Sequence, residues 1–259
     1  MQGLKQRLAA SEAVNGCWLN LGSPLTAEIV GLSGYDWVLI DLEHGAGSEA
    51  QLLGQLQGLS ATPATPLVRV ESHDRRRIQR VLDLGAQGVL VPRISTVEEA
   101  REAVDAMHYP PRGGRGMAKM VRATGFNTRF NEYFSTAAER LLCAVQVETP
   151  GILGHLDEVA AIEGVDVLFI GPADLTLSLG IFGQFDHPRY VEAVQATVEA
   201  AHRAGKQSGI LIFNPEEYER YRAMGMRMIA CGADATFVAE GARTMAARLS
   251  ALRHGPLNT

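Results

Sequence analysis

The chain has 259 residues, 46% of them hydrophobic and 20% charged, so it can bury a sizeable core and is not disordered by composition. Its net charge of −5 argues against a partner held by phosphate neutralisation, and no nucleic-acid partner is expected. No apolar run approaches the ~18 residues of a membrane span, so no membrane partner is expected either.

The stretch from Met1 to Glu12 reads as a short amphipathic helix without an apolar signal core, which points to the cytoplasm. Cys17, Cys143 and Cys231 lie in apolar stretches, cannot pair completely and form no CxxC, so they read as reduced core residues. Only Lys5, Lys119 and Lys206 are lysines. A mechanism that needs a lysine therefore has few places to put one.

In chain order, short β-branched runs alternate with amphipathic stretches. The predicted strands are 14–21, 37–41, 67–70, 88–91, 142–147, 165–170, 208–212 and 228–231. Each is apolar on both faces, as buried parallel strands are. Helical stripes fall between them: Ile78, Val81, Leu82 and Gly85; Val97, Ala100, Val104 and Met107; Val191, Val194 and Val198; Met245, Leu249 and Leu252. Eight such units point to an α/β fold, a single (β/α)8 TIM barrel over residues 1–259. A doubly wound sheet is the runner-up, but Leu21-Gly22-Ser23-Pro24 is not a dinucleotide loop. The long irregular stretch from Tyr109 to Asn127 reads as an active-site loop. Within it, Arg112-Gly113-Gly114-Arg115-Gly116 is a single copy in an acidic chain and reads as structured loop, not an RNA-binding tract.

Reactive residues of such barrels sit at the C-terminal ends of the strands. After the second strand, Asp41 precedes His44 by three residues, a spacing that lets a carboxylate orient an imidazole base. Arg69 lies inside the third strand and needs an anionic or oxygen-rich partner. Glu148 and Asp174 end adjacent strands, where two carboxylates converging on one point suit a hard divalent cation that keeps several waters. Pro172 and Ala173 precede a predicted helix whose first free amides would face the same point and can hold a substrate carboxylate. Singly, Asp41, His44, Glu148 and Asp174 have ordinary structural explanations; together they fall on one rim with Arg69. The remaining histidines, His73, His108, His155, His187, His202 and His254, read as structural.

The segments Asp41-Leu42-Glu43-His44, Val68-Arg69-Val70, Leu82-Asp83-Leu84-Gly85-Ala86, Tyr109-Pro110-Pro111 through Arg115-Gly116, Gln146-Val147-Glu148-Thr149 and Phe169 through Leu175 resemble the HpcH/HpaI aldolase/citrate lyase family over nearly the whole chain. The resemblance implies a metal-dependent class II pyruvate aldolase, an aldehyde-lyase. Such an enzyme reversibly cleaves a 4-hydroxy-2-oxo acid to pyruvate, or a pyruvate analogue, and an aldehyde through an enolate. It implies a Mg2+, Mn2+ or Co2+ ion on Glu148 and Asp174, a His44–Asp41 dyad and a catalytic Arg69. It places Gln146, Gly171, Pro172, Ala173 and Leu211 around the substrate, with Asp83 and Arg122 acting near the site across a subunit interface. A homo-oligomer is implied, a hexamer or trimer of dimers, with the C-terminal helix a candidate for domain swapping. The alternatives are a malyl- or citryl-type acyl-CoA lyase of the same superfamily and a non-catalytic keto-acid-binding barrel. A Schiff-base aldolase is disfavoured independently, because none of the three lysines falls at a predicted strand end.

Overall fold

A computed structural model describes residues 2–254. Eight parallel strands pair in chain order and close on themselves: β1 (Val14–Leu19), β2 (Trp37–Asp41), β3 (Thr65–Arg69), β4 (Gly88–Val91), β5 (Leu142–Val147), β6 (Val167–Ile170), β7 (Gln207–Ile212) and β8 (Met228–Ala233). Around them run α1 (Leu4–Ala9), α2 (Pro24–Gly31), α3 (Glu49–Leu59), α4 (Arg75–Asp83), α5 (Val97–Met107), α6 (Phe130–Arg140), α7 (Pro150–Leu153), α8 (Leu156–Ala160), α9 (Pro172–Ser178), α10 (Pro188–Arg203), α11 (Tyr218–Ala223) and α12 (Asp234–His254). The fold is the α/β TIM barrel that the alternation predicts. Met1, residues 255–259 and the side chain of His254 lie outside what is described.

The strands match the predicted runs with shifted ends. β1 stops at Leu19, because the chain turns at Asn20. β3 begins earlier, at Thr65; Pro66 has no N–H, but its carbonyl accepts from the Gln87 amide.

Side-chain period 2 splits the apolar residues into two cores. Val38, Ile40, Val68, Val89, Val145, Leu168 and Ile210 face the helices. Trp18, Trp37, Leu39, Leu67, Leu90, Ala144, Phe169 and Met228 fill the barrel interior. Leu4 and Leu8 join the interior set, so α1 plugs the N-terminal end of the barrel. Above it, in the middle of the barrel, Trp18, Trp37 and Phe169 pack edge-on or tilted, with ring centroids 5.7–6.2 Å apart. Gly16 makes this possible: a Cβ there would run into the Trp37 ring. The inward phase continues past the aromatic layer. It carries Asp41 on β2, Arg69 on β3 and Gln146 on β5 to the mouth, with Glu148 one step further.

Closure at the mouth has its own strap. Asp234, buried after β8, accepts from the amides of Asn20 and Leu21, from Thr26 Oγ1 at 2.7 Å and from the Ala235 amide. It joins the last strand to the first turn of the chain's opening β–α unit.

Candidate active site

β2 and β3 are in register so that Asp41 lies beside Arg69. The Arg69 fork grips Asp41 through two contacts, Nε to Oδ1 at 2.9 Å and Nη2 to Oδ2 at 2.7 Å. Asp41 Oδ2 also accepts from Asn20 Nδ2, and Oδ1 from the backbone amides of Glu43 and His44. The third arm, Arg69 Nη1, lies 3.0 Å from Glu43 Oε2. Burial works against the charge on Arg69, but the hydrogen bond and charge of Asp41 outweigh it and hold the guanidinium above its ordinary pKa. The buried strand arginine thus has the oxygen-rich partner it needs.

This arrangement corrects the expected His44–Asp41 dyad. Both Asp41 oxygens are taken by the Arg69 fork and the turn amides, so Asp41 meets His44 through its backbone. The imidazole, 66% exposed, has its Nε2 3.9 Å from Glu43 Oε1.

Across the mouth, Glu148 is buried at the end of β5. Oε1 accepts from the Arg93 amide at 2.7 Å, and Oε2 from Gln146 Nε2. Arg93 adopts φ 55°, a left-handed conformation that lets its N–H face the carboxylate. Burial pushes the Glu148 carboxyl up to about 7; the Arg93 hydrogen bond opposes this, and the charges of Asp174 and Glu43 add to it. Glu43 is likewise raised, first by burial, against the pull of Arg69 and His44.

α9 brings Asp174 to the same place in its first turn. Gly171 precedes it, and a Cβ there would strike the Glu148 carboxylate and the Gln146 amide. Pro172 opens the helix without an N–H, and no side chain caps it. The amides of Ala173 and Asp174 thus lie in the first turn, where a helix has no internal partner to offer. Ser178 Oγ donates to the Glu148 carbonyl at 3.0 Å and ties α9 to β5. Leu211, on β7, packs against the barrel-interior cluster.

Asp83 and Arg122 do not join this group within one chain. Asp83 ends α4 and pairs with Arg115, and Arg122 donates to the carbonyls of Leu84 and Leu56. All of these lie at the N-terminal end of the barrel, where α3 and α4 finish. The stretch from Tyr109 to Asn127 is there too, which corrects its reading as an active-site loop of its own chain: it follows α5, and α5 has already returned the chain to that end. Among the lysines, Lys5 pairs with Asp166, Lys119 sits over Phe130 in the same far loop, and Lys206 precedes β7.

Sequence reasoning left Asn20, Glu43 and the Arg93 amide without a role. Asn20 was findable, since it is two residues beyond inward-facing Trp18. Arg93 was not, because it acts through its backbone.

Among the described residues no group of three or more His, Cys, Asp or Glu side chains forms a ready-made cation cage. The residues nevertheless fit a hard cation that keeps water or substrate oxygens in its shell. Glu148 is a buried carboxylate with a second acid beside it, and Gly171 leaves the space in front of it clear. Gln146 Oε1 is buried with no hydrogen-bond partner, an acceptor kept for something not supplied by the chain.

The sequence profile of the HpcH/HpaI aldolase/citrate lyase family matches residues 15–241. A hydroxypyruvate/pyruvate aldolase of Agrobacterium fabrum is 41% identical over 245 residues, 94% of this chain and 92% of that protein. A 4-hydroxy-2-oxo-heptane-1,7-dioate aldolase of Shigella sonnei is 39% identical over 248 residues, 95% of this chain and 94% of that one. The crystal structure of an HpcH/HpaI aldolase/citrate lyase family protein from Burkholderia cenocepacia superimposes with a TM-score of 0.90 at 36% identity, covering 95% of this chain and 98% of that chain. With the profile spanning most of its length, the chain belongs to the HpcH/HpaI aldolase/citrate lyase family.

Proposed function

We propose that this protein is a divalent-metal-dependent aldolase that reversibly cleaves a 4-hydroxy-2-oxo acid to pyruvate, or a pyruvate analogue, and an aldehyde. The family and the named aldolases above support the aldolase class. The observation that carries the finer reading is the meeting of two opposed features at one mouth: the clamped cation of Arg69 and the acid pair Glu148–Asp174.

Glu148 and Asp174 would hold the ion, Mg2+, Mn2+ or Co2+, which when bound supplies Lewis acidity to the 2-oxo acid. Arg69 stabilises the negative charge that grows on the keto oxygen as the C3–C4 bond breaks and its electrons pass into the enolate. Asp41 keeps the guanidinium aimed, at no cost of reorganisation during the reaction. His44 takes the proton from the 4-hydroxyl, and an aldehyde leaves; returning a proton to C3 gives pyruvate. Gln146 and the amides at Ala173 and Asp174, flanked by Gly171 and Pro172, bind the oxygens of the keto acid, and Leu211 borders the acceptor.

A panel of 4-hydroxy-2-oxo acids, assayed for pyruvate release with and without EDTA, tests this. Release that EDTA abolishes and added Mg2+, Mn2+ or Co2+ restores is the expected result. Full turnover in EDTA, or borohydride trapping of pyruvate on a lysine, overturns it.

We further propose a homo-oligomer, hexameric or a trimer of dimers. Its support is the apolar surface left open by α12, with Phe237, Met245, Leu249 and Leu252 exposed, and by α2, with Leu25 and Ile29 exposed. Exchange of α12 between subunits of this single-domain chain covers both, and a neighbouring subunit is the route by which Asp83 and Arg122 approach a site. Light scattering on the purified protein reads the assembly directly. The free thiols of Cys17, Cys143 and Cys231 support a reducing, cytoplasmic setting. Among the described residues no helix is long and apolar enough to cross a membrane.

A further inference from the structure

We infer that Glu43 is a positioning residue that couples Arg69 to His44 during enolate formation. This role rests on the aldolase reading above. One oxygen of the carboxylate lies 3.0 Å from Arg69 Nη1 and the other 3.9 Å from His44 Nε2. No other carboxylate among the described residues touches both groups. Asp41 reaches Arg69 on its other edge, and its contact with His44 goes through the peptide N–H.

Charge argues that Glu43 is more than a counter-ion. Arg69 is already neutralised by a two-point pair with Asp41. A second acid with a side chain only 12% exposed adds a surplus negative charge where Asp41 and Asp174 already crowd it. Such an acid is costly to keep unless it serves a positive charge that appears during the reaction. His44 gains that charge when it takes the 4-hydroxyl proton, and Glu43 is the acid that then faces it. Glu43 itself exchanges no proton: the proton moves from the hydroxyl to His44, and the C3–C4 electrons go to the enolate.

Geometry gives the second half of the role. A guanidinium has five N–H donors. Asp41 takes the one on Nε and one on Nη2, and Glu43 forms an ion pair with Nη1. N–H groups on both terminal nitrogens remain for substrate. Without Glu43 the planar fork is held along the Asp41 edge alone, and the whole guanidinium can hinge about that edge away from the developing charge.

The test compares Glu43→Gln, Glu43→Asp and Arg69→Lys, singly and with Glu43→Gln and Arg69→Lys combined. It reads kcat and KM for aldol cleavage, exchange of pyruvate methyl protons by NMR in deuterated water, and thermal unfolding. Glu43→Gln is expected to lower kcat about 10–100-fold and to slow exchange comparably, with KM within about threefold of the parent. Glu43→Asp, which keeps the charge but shortens the reach, should recover part of the loss. The double variant should lose less than the product of the single losses, because both act through one guanidinium. Glu43→Gln turnover within about twofold of wild type, a loss confined to KM, or fully multiplicative losses overturn the role. Should Glu43→Gln not unfold cooperatively, Glu43→Asp decides: a kcat equal to wild type overturns the proposal. Wild-type protein that neither releases pyruvate nor exchanges its methyl protons overturns the aldolase reading and this role together; an active wild type with an equally active Glu43→Gln overturns this role alone.

Discussion

Arg69 and Arg115 invite comparison because each is buried and each has an aspartate 2.7 Å away. They sit at opposite ends of the barrel. Arg115 is fully enclosed: Tyr109 and Tyr133 cover its faces at 4.7 and 5.6 Å, Tyr133 Oη accepts from it, and among the described residues Asp83 is the acid that pairs with it. Its charge is used up in packing the 109–127 stretch against α4 and α6. Arg69 has one edge on Asp41, another on Glu43, Glu148 nearby, and an open mouth above it. A buried arginine with an acid partner is therefore not a sign of chemistry by itself. Surplus acid around it, gathered at the strand ends of the barrel mouth, is the sign.

The largest effect that sharpens this contrast is at the acid wall facing Arg69. Glu148→Gln should reduce pyruvate release by more than ~10³-fold, over about 4 kcal/mol in the barrier, while circular dichroism stays that of wild type. Activity close to wild type would break the assignment of the acid pair.

Arg69→Lys keeps the charge but loses the planar fork. It should cut kcat by about 10²–10³, more than it weakens pyruvate binding, because the lost contact strengthens only as charge develops. Methyl-proton exchange should slow with it. Wild-type exchange in this variant would move Arg69 into the structural class of Arg115.

Arg115→Ala should show the complementary pattern, a loss of about 3 kcal/mol in unfolding free energy from the stranded Asp83 and the emptied tyrosine cage. Urea unfolding reads the loss. The comparison fails if stability is unchanged.

A smaller effect follows from the raised Glu148 carboxyl. With its pKa at about 7 in the folded protein and 4.5 as its ordinary value, the cation-free folded state binds more protons than the unfolded state between those limits. Stability in EDTA should thus fall as pH rises through that window, by on the order of 1–3 kcal/mol, and Glu148→Gln should flatten the slope. Melting temperatures at pH 5 and pH 8 check the sign.

The smallest expected effect is at the lysines. Changing Lys119 and Lys206 together to arginine should leave kcat within about twofold, since neither belongs to the Arg69 mouth. A large loss would reopen lysine chemistry.

Much of the rim was legible because it follows from local rules. Alternation of short apolar runs with 3.6-period stripes specifies a barrel, and period 2 within each strand continues inward past Trp18, Leu39, Leu67 and Ala144 to Asn20, Asp41, Arg69 and Gln146. These are properties of neighbours in the chain, so the amino-acid order alone determined them, together with the scarcity of lysine. What each polar group touches was decided elsewhere. Asp41 spends its oxygens on Arg69, 28 residues away, because inter-strand register sets them side by side. That pairing removes it from the His44 ring. Arg93 serves Glu148 through a backbone amide, which no side-chain pattern encodes. The Tyr109–Asn127 stretch lies at the far end because α5 must return antiparallel to its strand before the loop begins. Side-chain direction is set within a few residues, whereas the choice of partner depends on which distant strands and loops the closed barrel brings within hydrogen-bonding reach, and tertiary structure alone makes that choice.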